Sequence, residues 1–152
     1  MKNVYQCHLS GNHTGSIICK FMPVIRNKDK VLYPDLSYFI NGLCFKAHNE
    51  LGPFLSEKQY GDALENLLKI NDVSYTRENE IPIFFEGEKQ RRSITDFIID
   101  GKVILEIKAK NMITRDDYYQ IKRYLISAKK ELGVLVNFRR RTLQPKRILN
   151  NS

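Results

Sequence analysis

Hydrophobic positions along the chain follow two different periods, and the change from one to the other divides it. Phe39, Ile40, Leu43, Cys44, Ala47 and Leu51 recur at three- and four-residue steps, the spacing of one helix face. Tyr33-Pro34-Asp35-Leu36-Ser37 supplies a start signal with Asp35 or Ser37 as N-cap, and Gly52-Pro53 supplies the stop. A second helix is predicted after Ser56, with Tyr60, Ala63, Leu64, Leu67 and Leu68 as its apolar stripe and Asn71-Asp72 as its end. Beyond that point the composition turns β-rich. Residues 74–85 read as a strand, and Glu86-Gly87-Glu88-Lys89 as a turn. Residues 93–99 and 102–109 read as two strands of a hairpin around Asp100-Gly101. Thr114 and Asp117 have the spacing of a capping box for a third helix reaching residue 132, with Ile121, Tyr124, Leu125 and Ala128 inward. Residues 133–138 form a short apolar strand, and 142–148 an edge strand interrupted by Pro145.

The predicted order is α-α-β-β-β-α-β, without repeats or an internal linker, which makes residues 31–152 one α/β domain. Residues 1–30 show neither period and read as a poorly ordered extension with a short strand at 15–21. The whole chain has 152 residues, with 42% hydrophobic and 28% charged positions. That composition allows a real core and excludes wholesale disorder and a fibre. No apolar run approaches the ~20 residues of a membrane helix, and Gly11, His13 and Gly15 break up any signal-like N-terminus. Three scattered cysteines make no disulfide framework, so a reducing cytoplasm is expected. Cys7, His8, His13 and Cys19 lack the spacing of a zinc knuckle, Cys44 fits a helix core, and His48 fits a helix rim.

Charge changes the picture because of where it lies. Residues 1–105 carry 13 basic and 13 acidic side chains, whereas residues 106–152 carry 12 basic and 4 acidic ones. The net charge of +8 therefore sits in the last third, as either a polyanion-facing surface or a solvated basic face.

The hairpin holds the candidate chemistry. Glu106 and Lys108 are two apart on a strand and share a face, with Leu105, Ile107 and Ala109 on the other. Charges inside so apolar a strand need a partner, a metal or a solvent-lined setting. A two-residue loop at Asp100-Gly101 would send Asp96 to the opposite face. A three-residue loop ending in Gly101 pairs Ile98 with Lys102, and brings Asp96 beside Glu106 as its diagonal neighbour. Two converging carboxylates with few thiols or imidazoles nearby suit Mg²⁺ or Mn²⁺ better than zinc. The same spacing also suits a plain cross-strand ion pair on a solvated sheet face.

Asp96, Glu106-Ile107-Lys108 and a following helix with Gln120 together resemble the PD-(D/E)xK nuclease superfamily. The stretch from Ala47 to Tyr60 (AHNELGPFLSEKQY) is similar to the GxxExxY proteins of that superfamily. Glu57 and Tyr60 are kept, Phe54 stands at the first glycine, and Thr95 stands where the superfamily label has proline. The resemblance implies a restriction-endonuclease-like core, a central mixed sheet with helices on both faces. It implies Mg²⁺ (or Mn²⁺) held by Asp96, Glu106, the Ile107 carbonyl and Glu57, with Lys108 as catalytic lysine and Gln120 orienting water or phosphate. The reaction implied is hydrolysis of a phosphodiester, with DNA as substrate, by a homodimer or a part of a larger repair, recombination or defence complex. Lys122, Arg123, Arg139, Arg140, Arg141, Lys146 and Arg147 would then neutralise substrate phosphates. The alternative is a module on the same fold that binds nucleic acid or a partner without catalysis.

Overall fold

Two reciprocal capping boxes and one proline set where the helices begin. In the computed structural model, which describes residues 31–91 and 93–150, the helices are α1 (Pro34–Leu51), α2 (Glu57–Ile70) and α3 (Arg115–Ser127). Ser56 Oγ accepts the Gln59 N–H while Gln59 Oε1 accepts the Ser56 N–H at 3.0 Å. Thr114 and Asp117 do the same for α3. Each cap satisfies donors that a helix start leaves orphaned, for about 1 kcal/mol. In α1 the cap lies two to four residues earlier than expected. Tyr33, at φ 46°, is the N-cap and Pro34 takes the first turn, where proline's missing N–H costs nothing. Asp35 then falls in the first turn, and Ser37 is buried, accepting a hydrogen bond from Arg147.

The strands are β1 (Tyr75–Glu80), β2 (Ile94–Ile99), β3 (Val103–Lys108), β4 (Leu132–Asn137) and β5 (Lys146–Leu149). They form one mixed sheet in the order β1-β2-β3-β4-β5, in which β3 and β4 run parallel across the α3 crossover and the other neighbours antiparallel. The expected fold, an α/β domain of restriction-endonuclease-like type with helices on both faces, is therefore the observed one. β1 ends at Glu80, short of the expected residue 85. Ile81 donates the last main-chain bond to Ser93 at 2.8 Å, Pro82 has no donor to offer, and Ile83, Phe84 and Phe85 are exposed. α3 stops at Ser127 rather than near residue 132, because Lys129 turns to φ 51° and Leu132 already belongs to β4. The expected extension and its strand at 15–21 lie outside the described residues. Among the described residues no helix is long and apolar enough to cross a membrane.

Alternation along the strands feeds two cores. Phe97, Ile99, Val103, Leu105, Ile107, Val134 and Val136 pack against α1 and α2, where Cys44 is fully buried. Ile98, Ile104, Leu135 and Ile148 pack against Ile121, Tyr124 and Leu125 of α3. Gly133 sets how closely α3 approaches: a Cβ there would stand 2.6 Å from Ile121 Cγ2, below any normal contact. Gly133→Ala should therefore lower unfolding free energy by about 1–3 kcal/mol, the scale of overpacking a tight core. Urea denaturation checks this, and an unchanged midpoint would refute it. On the other face, Arg77 of β1 ties down α2 through Asp62 at 2.6 Å and Glu65 at 2.5 Å.

The hairpin register corrects one expectation and keeps its consequence. Ile99 pairs with Val103, so the three-residue loop is Asp100-Gly101-Lys102 rather than a loop ending at Gly101. Asp100 (φ 51°) and Gly101 (φ 61°) both take the left-handed region, and Lys102 N–H closes the turn on Ile99 C=O at 3.0 Å. This register buries Ile99 and Val103 together on the α1–α2 face. Relative to the expected register it slips by two positions, which leaves every side chain on its face. Continued one step beyond Phe97–Leu105, it sets Asp96 across from Glu106.

Candidate active site

Topology gathers the chemically useful groups at one edge of the sheet. The carboxyl ends of β3 and β4 lie there, with the start of β2 beside them and the N-termini of α2 and α3 arriving from either face. Ligands of open α/β sheets occupy this edge, and helix N-termini favour anions there.

Asp96, Glu106 and Lys108 form a compact group at that edge. Lys108 Nζ donates to Glu106 Oε1 at 2.9 Å, and the Ile107 N–H donates to Asp96 Oδ2 at 2.6 Å. Thr95 Oγ1 lies 3.4 Å from Glu106 Oε2. A local distortion of β1 and β2 releases Asp96 for this role. Glu78 takes φ 50°, and the Glu78–Asp96 position drops out of a ladder that pairs residues on both sides of it.

The group is electrostatically tense. Glu106 is only 2% exposed, and burial followed by the charge of Asp96 pushes its carboxyl up to about 7. Lys108 and the Asp96 main-chain N–H pull the other way without winning. Burial also raises Asp96, against the Ile107 N–H and Lys108. For Lys108, burial favours the neutral amine, but Glu106, Asp96 and Glu57 outweigh it and hold the lysine above its ordinary value. It therefore stays an ammonium.

A buried and a half-buried carboxylate with one lysine beside them are short of positive charge, which is the setting a divalent cation completes. The described residues direct no hydrogen bond at Asp96 Oδ1. A strand residue's N–H and C=O point to the same neighbour, so the Ile107 carbonyl opens toward Asp96 as its N–H does. These are hard oxygen donors and fit Mg²⁺ or Mn²⁺. Among the described residues no group of three or more His, Cys, Asp or Glu side chains could hold a metal. The expected set including Glu57 is thus not assembled. Glu57 is instead exposed at the rim, its Oε1 held by the Ala109 N–H at 2.9 Å.

The other expected residues separate by position. Gln120 is half-buried on α3 and donates to Tyr124 Oη at 2.6 Å, and Tyr124 in turn feels the charge of Glu106. Lys122 spends its ammonium on the Leu149 carbonyl at 2.5 Å, and Arg139 its guanidinium on the Ala109 carbonyl at 3.3 Å. Arg123 and Arg141 are exposed. Arg147 is a correction: it pairs with Val134 and faces α1, where it donates to Ser37 Oγ and the Leu32 carbonyl. Alternation in β5 puts it on the side of the sheet away from Glu106, so it ties β5 to α1 and does not reach a substrate there. Arg140 and Lys146 lie on the Glu106 side, around a small cavity.

Sequence patterning missed several supports. Asn137 clamps the loop after β3, accepting the Lys110 N–H at 3.2 Å and donating to the Lys110 carbonyl at 2.7 Å. Its signal was a polar residue ending an apolar strand. His48, expected at a rim, is buried beside Phe138 with Nε2 2.8 Å from the Arg140 carbonyl. Tyr60 closes the α1–α2 loop, donating to the Gly52 carbonyl, and stacks on Phe138 at 4.3 Å. A family model described as the PD-(D/E)XK nuclease superfamily matches residues 34–148. Searches of curated proteins and of solved structures find no match.

Proposed function

The chain belongs to the PD-(D/E)XK nuclease superfamily, and from that premise we propose that it is a divalent-metal-dependent nuclease that hydrolyses the phosphodiester backbone of DNA. Within the superfamily we place it with the GxxExxY proteins, on Glu57 and Tyr60. The observation that carries the activity is the group of Asp96, Glu106 and Lys108 on one face, with Lys108 Nζ 2.9 Å from Glu106 Oε1.

Asp96, Glu106 and the Ile107 carbonyl would hold Mg²⁺ or Mn²⁺, which would supply a Lewis acid for the scissile phosphate and a water of lowered pKa. Lys108, hydrogen-bonded to Glu106, would orient that water and offset charge gathering on the phosphoryl oxygens. Gln120 lies on the helix face over the same edge, with Tyr124 holding its amide, and positions water or phosphate there. Glu57 braces the Ala109 main chain just past Lys108 and adds negative charge at the rim.

The test is incubation of the full chain with labelled duplex DNA, single-stranded DNA and RNA, in Mg²⁺, Mn²⁺ or EDTA. Cleavage of DNA that needs the metal is expected. A protein that binds DNA equally well in EDTA and cuts none of these substrates would replace the enzyme by a binding module on the same fold.

A further inference from the structure

A second feature of the Glu106 face lies outside the carboxylate group. A cavity of about 60 Å³ is lined by Ile113, Leu135, Asn137, Arg140, Gln144 and Lys146. Strand register explains its position. Glu106 pairs with Leu135 on β4, and Leu135 pairs with Lys146 on β5, so the three side chains stand in one row on one face. With strands about 4.8 Å apart, Lys146 lies roughly 10 Å from Glu106 along that row.

The lining is built for an anion. Ile113 and Leu135 give it apolar walls, while Arg140, Gln144 and Lys146 bring N–H donors and no carboxylate lines it. Asn137 already uses its amide on Lys110, and so fixes one wall. Among the described residues neither Arg140 nor Lys146 has an acidic partner, whereas the neighbouring Lys110 is paired with Asp117 at 2.5 Å. The volume is several times what one water needs and admits a phosphate group. Arginine's forked donors and lysine's point charge are the usual means of holding one.

We propose that this cavity is an anion subsite that takes a backbone phosphate of the substrate strand, one or two phosphates away from the one held at Asp96 and Glu106. It rests on the nuclease assignment of those carboxylates. Occupation of the cavity would fix the line along which a strand crosses the sheet, between β2 and β5.

Two measurements on the full chain in EDTA test this. In the first, isotope-labelled protein is titrated with inorganic phosphate. The amides of Arg140, Gln144 and Lys146 should shift together, and the double variant Arg140→Ala/Lys146→Ala should not respond. In the second, binding of a duplex DNA oligonucleotide is followed against salt. The double variant should bind about tenfold more weakly and lose about two from the slope of log affinity on log salt. Lys46→Ala/Lys129→Ala, which removes two exposed cations elsewhere, should lower that slope by less. An unchanged slope in Arg140→Ala/Lys146→Ala overturns the subsite even if the wild type cleaves DNA. Phosphate shifts without any effect on DNA binding overturn the backbone assignment in favour of a free-phosphate site. A wild type that never cleaves, yet shows both expected responses, retains the subsite and overturns the nuclease assignment instead.

Discussion

Lys108→Ala should bind Mg²⁺ and DNA as the wild type does and cleave at least about 10²–10³-fold more slowly, the scale of losing one charge-stabilising group. The two carboxylates remain in place, because Asp96 is held by the Ile107 N–H and Glu106 is flanked by Thr95. With the ammonium gone, the two carboxylates keep their attraction for a cation. The transition state, in contrast, loses the fixed positive charge that Lys108 places beside Glu106. Single-turnover cleavage with metal titration separates the two effects. Equal loss of metal affinity and rate would move Lys108 from the chemistry to the architecture of the site.

Glu106→Gln should abolish cleavage and also remove a pH dependence from stability. In the metal-free wild type, burial and Asp96 raise Glu106 from its ordinary 4.5 to about 7. The folded state then binds a proton that the unfolded state has released, so stability falls as pH rises across that interval. The loss from Glu106 is on the order of 3 kcal/mol and is complete once pH has risen past about 7. Asp96, also raised by burial, acts in the same direction. Urea denaturation in EDTA at several pH values should show a decline in the wild type that is largely absent in Glu106→Gln. Saturating Mg²⁺ should flatten it as well. The same decline in both proteins would mean that Glu106 is not the group responsible.

The helices and the edge where Asp96, Glu106 and Lys108 meet are legible because both are written locally. Ser56 with Gln59 and Thr114 with Asp117 are short-range patterns, and they cap the helices they predict. Asp96, Glu106 and Lys108 share a face because strand alternation requires it once the loop has three residues. What was misjudged depended on distant partners. Arg147 looked like every other arginine of the basic tail until the β4–β5 register turned it toward Ser37. His48 looked solvent-facing because nothing near it in sequence announces Phe138 or the Arg140 carbonyl. The register slip at Asp100 had the same origin, since burying Ile99 with Val103 is decided by α1 and α2 rather than by the turn. Glu57 meets the main chain of Ala109, 52 residues away, instead of joining Asp96 and Glu106.

The hairpin between β2 and β3 also bears on how the molecule assembles and comes apart. Asp96 and Glu106 are ten positions apart, whereas Glu106 and Lys146 are forty apart. Closing the longer loop costs about 1 kcal/mol more chain entropy, and it waits on the parallel β3–β4 pairing and the α3 crossover. The carboxylate pair is thus a local product of one turn, and the cavity beside Lys146 a late product of the whole sheet. β5 is a four-residue edge strand, with Lys146 and Leu149 exposed. As a short edge strand it should open before the central β3, and hydrogen exchange should show its amides exchanging earlier. The carboxylates and the cavity thus depend on different parts of the sheet, the first on a single turn and the second on the β4–β5 pairing.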